Sequence, residues 1–367
     1  MSRITVHQLV PSAVPGDATT AHTLQVQRLL RDLGYASKIY ATAIHRDLED
    51  RVRLVRELPR GQRRHFILYQ LSSASPLADL LLDLRDPVAV NYHNITPASF
   101  FEGWDPTAVQ ALRSAAVQAA QVGRIASVGI CDSAFNAADL RDKGWTSTTV
   151  APILLDLADF EAEADKATAD RLARRRDRGG ADWLFVGALT PHKAQHRLVE
   201  ALASYRATYD PAARLTLVGR PVCPPYATAL ARYVAALGLT GAVELTGGVS
   251  HEELVAHYEG ADVLVSASEH EGFCVPLLEA LHHDLPVVAR AAGAVPDTLG
   301  PAGIALTDFS PPVVAAAVDR VLTDPDLRGR LARAGADRLV HFGLQRTRAT
   351  MARALKAWVE SGGEGTP

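Results

Sequence analysis

Ser268-Glu269-His270-Glu271-Gly272-Phe273-Cys274-Val275-Pro276-Leu277-Leu278-Glu279-Ala280-Leu281 decides how the rest of the chain is read. The apolar run Val263-Leu264-Val265 before it predicts a buried strand, and Leu277 to Leu281 are good helix formers, with Pro276 where a first helical turn tolerates it. A strand, a tight loop containing Gly272 and a helix therefore follow one another. The first turn of such a helix has backbone N–H groups without partners inside the helix, and the aligned peptide dipoles add about half a positive charge there. An anion is the natural occupant. Glu271 in the loop and Glu279 about one turn inside the helix flank it, too far apart to work as a close acid/base dyad. A carboxylate there accepts well from paired hydroxyls, as on a ribose or a hexose. Phosphate between two hydroxyl-bearing rings is what a nucleotide sugar offers. The plainer reading, two acids favoured by the positive end of a helix dipole, stands beside it.

A chain of 367 residues accommodates one large domain or two of ordinary size, and two is the better expectation. Its apolar fraction of 48% and charged fraction of 22% are ordinary for a soluble globular protein. A net charge of −3 points neither to wholesale nucleic-acid binding nor to an acidic tail. Cys131, Cys223 and Cys274 are scattered and form no CxxC pair, which argues against a disulfide framework or structural zinc and fits a reducing cytoplasm. The N-terminal MSRITVHQLVPSAVPGD lacks a long apolar core, and no apolar run approaches the roughly 20 residues of a membrane span. Neither a signal peptide nor a spanning helix is expected.

Glu271, seven residues, then Glu279, with Gly-Phe after the first Glu, resembles the signature of glycosyltransferase family 4, retaining enzymes of the GT-B fold. The wider string EHEGFCVPLLEAL is a specific match. The resemblance implies an α/β chain of two doubly wound, Rossmann-like domains facing a cleft. It also implies that Glu271 lies against a donor sugar, that the amides of Gly272, Phe273, Cys274 and Val275 meet sugar and phosphate, and that Glu279 binds the ribose.

In the first half, Ile4 to Leu9 alternates like a strand, and Val26, Leu29, Leu30 and Leu33 recur at helical spacing before Gly34 closes the helix. Pro15-Gly16-Asp17-Ala18 joins the two, without the GxGxxG of a dinucleotide site. The resemblance puts Gly16 and Asp17 in a loop facing the donor phosphates and the acceptor; a simple turn is the alternative. Further strands are expected at 38–40, 65–70, 88–92 and 125–129, with amphipathic stretches between them, the alternation of a parallel sheet covered on both faces. His93 falls at a strand end in Tyr92-His93-Asn94-Ile95-Thr96-Pro97, and the resemblance implies that it reaches the donor sugar. Residues 51–64, RVRLVRELPRGQRR, hold six arginines against one Glu. A solvated face explains them; the sharper reading is peripheral contact with anionic lipid head groups at the inner face of a membrane, or with an acidic acceptor. Phe101 and Trp104 are candidates either for lining an acceptor site or for packing. Asp132-Ser133 reads as a helix N-cap.

Composition changes after residue 160. The expected division is 1–160 as an acceptor-side domain, 161–180 as a solvent-facing helical linker, 181–342 as a donor-binding domain, and 343–367 as a helix crossing back to the first domain with a frayed tail. Strands are expected at 183–186, 215–218, 243–246, 263–265, 287–289 and 304–306. Gly187-Ala188-Leu189-Thr190-Pro191-His192-Lys193 is no P-loop, because His192 and Ala194 replace the second Gly and the Ser/Thr. The family uses this loop to bring an Arg and a Lys to the departing diphosphate. Lys193 matches the Lys; Ala188 stands where the Arg usually is, and Arg220 at the end of the next strand is the nearest substitute. Ser250 and Glu253 have capping-box spacing. Asp324-Pro325-Asp326 is explained by helix capping rather than by a metal, and adjacent His282 and His283 face different sides of a helix.

The expected activity is retaining transfer of a hexose from a nucleotide diphosphate sugar to a hydroxyl acceptor on a polysaccharide, glycolipid or secondary metabolite, with no cofactor and no metal. His93, Lys193 and Glu271 are the candidate catalytic residues. A non-catalytic GT-B subunit, supported by Ala188, and a nucleotide-sugar epimerase of the same fold are the alternatives.

Overall fold

The computed structural model describes residues 4–59 and 65–363. Arg60, Arg63 and Arg64 of the basic stretch and residues 364–367 of the tail lie outside them. The chain divides into two compact units: 1–99, 107–156 and 342–367 form the first, 100–106 and 157–341 the second.

The first unit is a parallel sheet of β1 (Thr5–Ala13), β2 (Ile39–Ile44), β3 (Val52–Leu54), β4 (His65–Leu71), β5 (Val88–Tyr92), β6 (Ala126–Cys131) and β7 (Thr148–Val150), in the order β3-β2-β1-β4-β5-β6-β7. Every residue of β4 is buried, as in a sheet covered on both faces. The helix Leu344–Glu360 completes one of those covers: Met351, Leu355, Trp358 and Val359 pack with Val6, Phe66, Leu68 and Ile130 in one core. β3 lies inside the arginine-rich stretch, where no strand was expected. Three residues at a sheet edge need bury only Val52, so the usual apolar run is missing.

The second unit repeats the design with β8 (Asp182–Val186), β9 (Arg214–Val218), β10 (Val243–Gly247), β11 (Val263–Ser266), β12 (Val287–Arg290) and β13 (Ile304–Leu306). Their order, β10-β9-β8-β11-β12-β13, reverses direction between β8 and β11, the switch point at which ligands of such sheets collect. The backbone there is tightly packed: a Cβ on Gly219, just past β9, would lie 1.9 Å from the carbonyl oxygen of Gly187, just past β8. The 161–180 stretch holds the helix Lys166–Arg176, which is not turned wholly to solvent. Leu172 is buried, and Arg175 donates to Asp182 at 2.7 Å and to Glu244 at 3.0 Å, tying the helix to the second unit. Among the described residues no helix is long and apolar enough to cross a membrane.

Candidate functional site

The loops that follow β8 and β11 bring Lys193 and Glu271 together. The β8 loop ends in the short turn Pro191–Lys193, and the β11 loop runs from Ala267 to Cys274. They are stitched together where the N–H of Glu269 donates to the carbonyl of His192 at 2.8 Å. A third loop arrives from β12, and the N–H of Ala294 donates to the carbonyl of Glu271 at 2.9 Å. Gly293 makes that approach feasible: its φ is +57°, and a Cβ on it would stand 2.4 Å from the Glu271 oxygen.

Lys193 and Glu271, 78 positions apart, meet at Nζ to Oε1, 2.6 Å. Burial by itself would raise the Glu271 carboxyl, but the Lys193 ammonium, helped by the Ser268 hydroxyl, overrides it and holds the acid below its ordinary range. The same partner lifts the Lys193 ammonium against the pull of burial. Both groups are therefore charged at neutral pH. Neighbouring His192 is kept neutral, lowered to about 3 by burial first and by Lys193 second.

After Glu271 the chain enters the helix Val275–His282 through Cys274, whose φ of +69° is uncommon for a residue with a side chain. The Thr298 hydroxyl fixes this corner by donating to the carbonyl of Phe273 at 2.6 Å. The amides of Gly272 to Val275 thus lead into a helix N-terminus, a geometry that receives anions. Inside the helix, Glu279 is buried and accepts a 2.6 Å hydrogen bond from the Tyr258 hydroxyl on Oε2. Burial raises its carboxyl from the ordinary 4.5 to about 7, against the opposing pull of Tyr258 and His251. Tyr258 in turn stacks on His283 at 5.3 Å.

Ala188 is set in the β8 loop by its carbonyl, which accepts from the Gln195 side chain at 2.8 Å. Arg220 is tied to the same loop, its carbonyl accepting from the N–H of Leu189 at 2.9 Å, and its exposed guanidinium forms no ion pair among the described residues. Arg290, at the end of β12, pairs with Glu269 at 2.6 Å. Tyr258, Gly293 and Arg290 had not been singled out in the sequence; each acts on the Glu269–Glu279 segment from a neighbouring element.

The first unit carries Gly16, Asp17 and His93. Gly16 has φ +74° in the turn, and Asp17 caps the helix Ala18–Asp32, accepting from the N–H of Thr20 at 2.8 Å. His93 has both ring nitrogens engaged, Nδ1 with Asp132 and Nε2 with Gln70, each at 2.7 Å. Ser133 supplies the N-cap of Ala134–Asp142, which leaves Asp132 to His93. Within the second unit, Phe101 is buried with its ring 5.8 Å from that of His192, and Trp104 packs edge-on to Tyr226 at 5.3 Å. Asp324 accepts from the N–H of Leu327 at 2.9 Å, the capping role expected of it. Among the described residues no group of three or more His, Cys, Asp or Glu is arranged to hold a metal ion.

Two Rossmann-like parallel sheets with their helices define the GT-B fold. The structure of HepE from Anabaena in complex with UDP and glucose shares it with a TM-score of 0.76 over 97% of this chain and 100% of that one, at 19% identity. Sucrose-phosphate synthase from Thermosynechococcus elongatus does so at 0.74, over 98% and 100%, at 19% identity. Residues 168–338 match the family model described as glycosyl transferases group 1. A D-inositol 3-phosphate glycosyltransferase of Salinispora arenicola is 32% identical over 237 residues, 59% of this chain and 52% of that protein. A GDP-mannose-dependent alpha-(1-6)-phosphatidylinositol monomannoside mannosyltransferase of Mycobacterium tuberculosis is 34% identical over 161 residues, 41% of each chain. This chain spans about half the length of the curated relatives it matches.

Proposed function

We propose that the chain is a glycosyltransferase of family 4 type whose second unit binds a nucleotide diphosphate sugar and whose reaction passes the hexose to a hydroxyl acceptor with retention. The observation that carries this is the meeting of Lys193 and Glu271 beside the N-terminus of Val275–His282, which sets a cation and a carboxylate at the start of a helix. The names of the relatives and the UDP and glucose held by HepE support the same donor class. Retention rests on the family resemblance.

In this reading the diphosphate lies against the amides of Gly272 to Val275, with Lys193 and Arg220 as its cations. Glu271 faces the sugar, and Glu279 accepts from the ribose hydroxyls. As the bond from C1 to the diphosphate oxygen breaks, the helix terminus and the two cations stabilise the charge gathering on the leaving group. The acceptor oxygen bonds to C1, and its proton passes to the diphosphate, so no protein base is required. Arg220 takes the part of the arginine that Ala188 lacks, and protein cations stand in for a metal.

A thermal-shift screen against UDP, GDP and ADP and their sugars tests the donor, since stabilisation follows affinity. One nucleotide series should raise the melting temperature in proportion to log concentration. A flat response across all of them at millimolar levels would end the reading.

A further inference from the structure

Residues 100–106 belong to the second unit, although 99 and 107 on either side of them belong to the first. This strap is folded on itself. The N–H groups of Trp104 and Asp105 both donate to the carbonyl of Phe101, at 2.9 and 3.0 Å, and Gly103, with φ +81°, permits the reversal. The Phe100 ring lies 6.2 Å from that of His192 and 6.2 Å from that of His270, so one phenyl group is shared between the β8 loop and the β11 loop. Phe101 adds a second contact to His192 at 5.8 Å. All three separations fall in the roughly 4.5–7 Å range favoured by aromatic pairs. At the other end of the strap, Trp104 packs on Tyr226, whose hydroxyl lies 3.1 Å from His196 Nδ1 in the helix Gln195–Thr208 that follows the β8 loop.

His192 immediately precedes Lys193, and His270 immediately precedes Glu271, the two groups that meet at 2.6 Å. The main-chain bond from Glu269 to His192 joins the loops at a pivot. A ring packed against both histidines adds another point of contact and fixes the angle between the loops. Among the described residues, His192 Nδ1 is buried without a hydrogen-bond partner, so packing rather than a hydrogen bond holds that edge of the imidazole. We propose that Phe100 and Phe101 are positioning residues that hold the β8 and β11 loops in register and thereby set the reach of Lys193 to Glu271. The consequence for turnover rests on the donor reading above; the consequence for the ion pair does not.

Acylation of lysine amines in the ligand-free full chain, read by mass spectrometry, tests it. The chain has five lysines, and exposed Lys166, in the second unit, is the reference. Against the pull of burial, Glu271 lifts the Lys193 ammonium, and only the neutral amine reacts. Each pKa unit of that lift given up raises the reactive fraction about tenfold. Phe100→Ala and Phe101→Ala should therefore label Lys193 several-fold faster relative to Lys166, while Phe100→Tyr, which keeps the ring, should label as the parent does. Unfolding would speed all five lysines together; if Phe101→Ala does so, the half-buried Phe100 decides. Unchanged Lys193 labelling in Phe100→Ala, or equal acceleration in Phe100→Tyr, overturns the proposal. A second arm separates it from the donor reading. With whichever of UDP-glucose, GDP-mannose and ADP-glucose the parent hydrolyses, Phe100→Ala should lower kcat by roughly 10- to 100-fold, the scale of a 1 Å misplacement, and move KM less. A change in KM alone would overturn the positioning role. A parent that hydrolyses none of the three removes the donor reading, and the labelling then decides the strap by itself.

Discussion

Lys193 pairs with Glu271 at 2.6 Å, so in the proposed reaction a diphosphate would share this cation with a carboxylate. Lys193→Ala should therefore lower turnover by roughly 10²- to 10³-fold, the usual cost of losing one donor to developing negative charge, with a smaller effect on donor affinity. Steady-state kinetics beside calorimetric titration separates the two; an unchanged rate would move the stabilising charge elsewhere. Glu279 makes a prediction in pH. Its folded pKa of about 7 lies above the ordinary 4.5, so the folded state binds the proton more tightly than the unfolded one. The stability it contributes is present at low pH and lost as pH rises through 7. Glu279→Gln, which copies the protonated acid and keeps an acceptor for Tyr258, should be more stable than the parent by up to about 3 kcal/mol near pH 8 and by less than about 1 kcal/mol near pH 5. Denaturation curves that stay parallel with pH would show that the carboxyl is not raised. Lys193 and Glu271 could be picked out because motifs place them in short loops, and Glu279 because it follows in the same motif inside the helix Val275–His282. Tyr258 and the partners of His93 could not, since bonds such as His22 to Asn91 join residues 69 positions apart and leave no local pattern.

At the scale of elements, the apolar runs before each loop marked most of the strands, and their ends moved by only a few residues. β3 escaped because an edge strand of three residues amid arginines has no apolar run to show. The helix Lys166–Arg176 read as solvated for a related reason: its arginines look like a charged surface, while Arg175 folds inward onto Asp182 with a side chain only 17% exposed. The loop after β12 is the element on which Glu271 leans. Gly293→Ala should cost about 1–2 kcal/mol from the left-handed backbone alone, and the contact with the Glu271 carbonyl forces a further shift of the β11 loop. Loss of nucleotide binding with a preserved fold is the expected outcome, read by titration and circular dichroism. Full binding in the variant would mean that the loop holding Glu271 tolerates the displacement.

Across the whole molecule, the doubled sheet was legible from two runs of alternating strands and helices, whereas the return of the last helix to the first core came from family resemblance. Trp358 is 1% exposed and meets Phe66 edge-on at 5.3 Å. Trp358→Ala should destabilise the first unit by about 3–5 kcal/mol, while nucleotide binding by the second unit persists. Calorimetric unfolding that splits into two transitions, with the nucleotide shifting only the higher, would match; a single transition lowered as a whole would not.

The first unit is assembled from segments that lie on either side of 157–341, most of the second unit, in the sequence. On a ribosome, residues 1–156 emerge early but lack the helix Leu344–Glu360 that covers one face of their sheet. Synthesis ordinarily lets the N-terminal domain finish first. Here residues 157–341 are made before the helix Leu344–Glu360, and the first sheet waits, partly uncovered, while the second unit is synthesised.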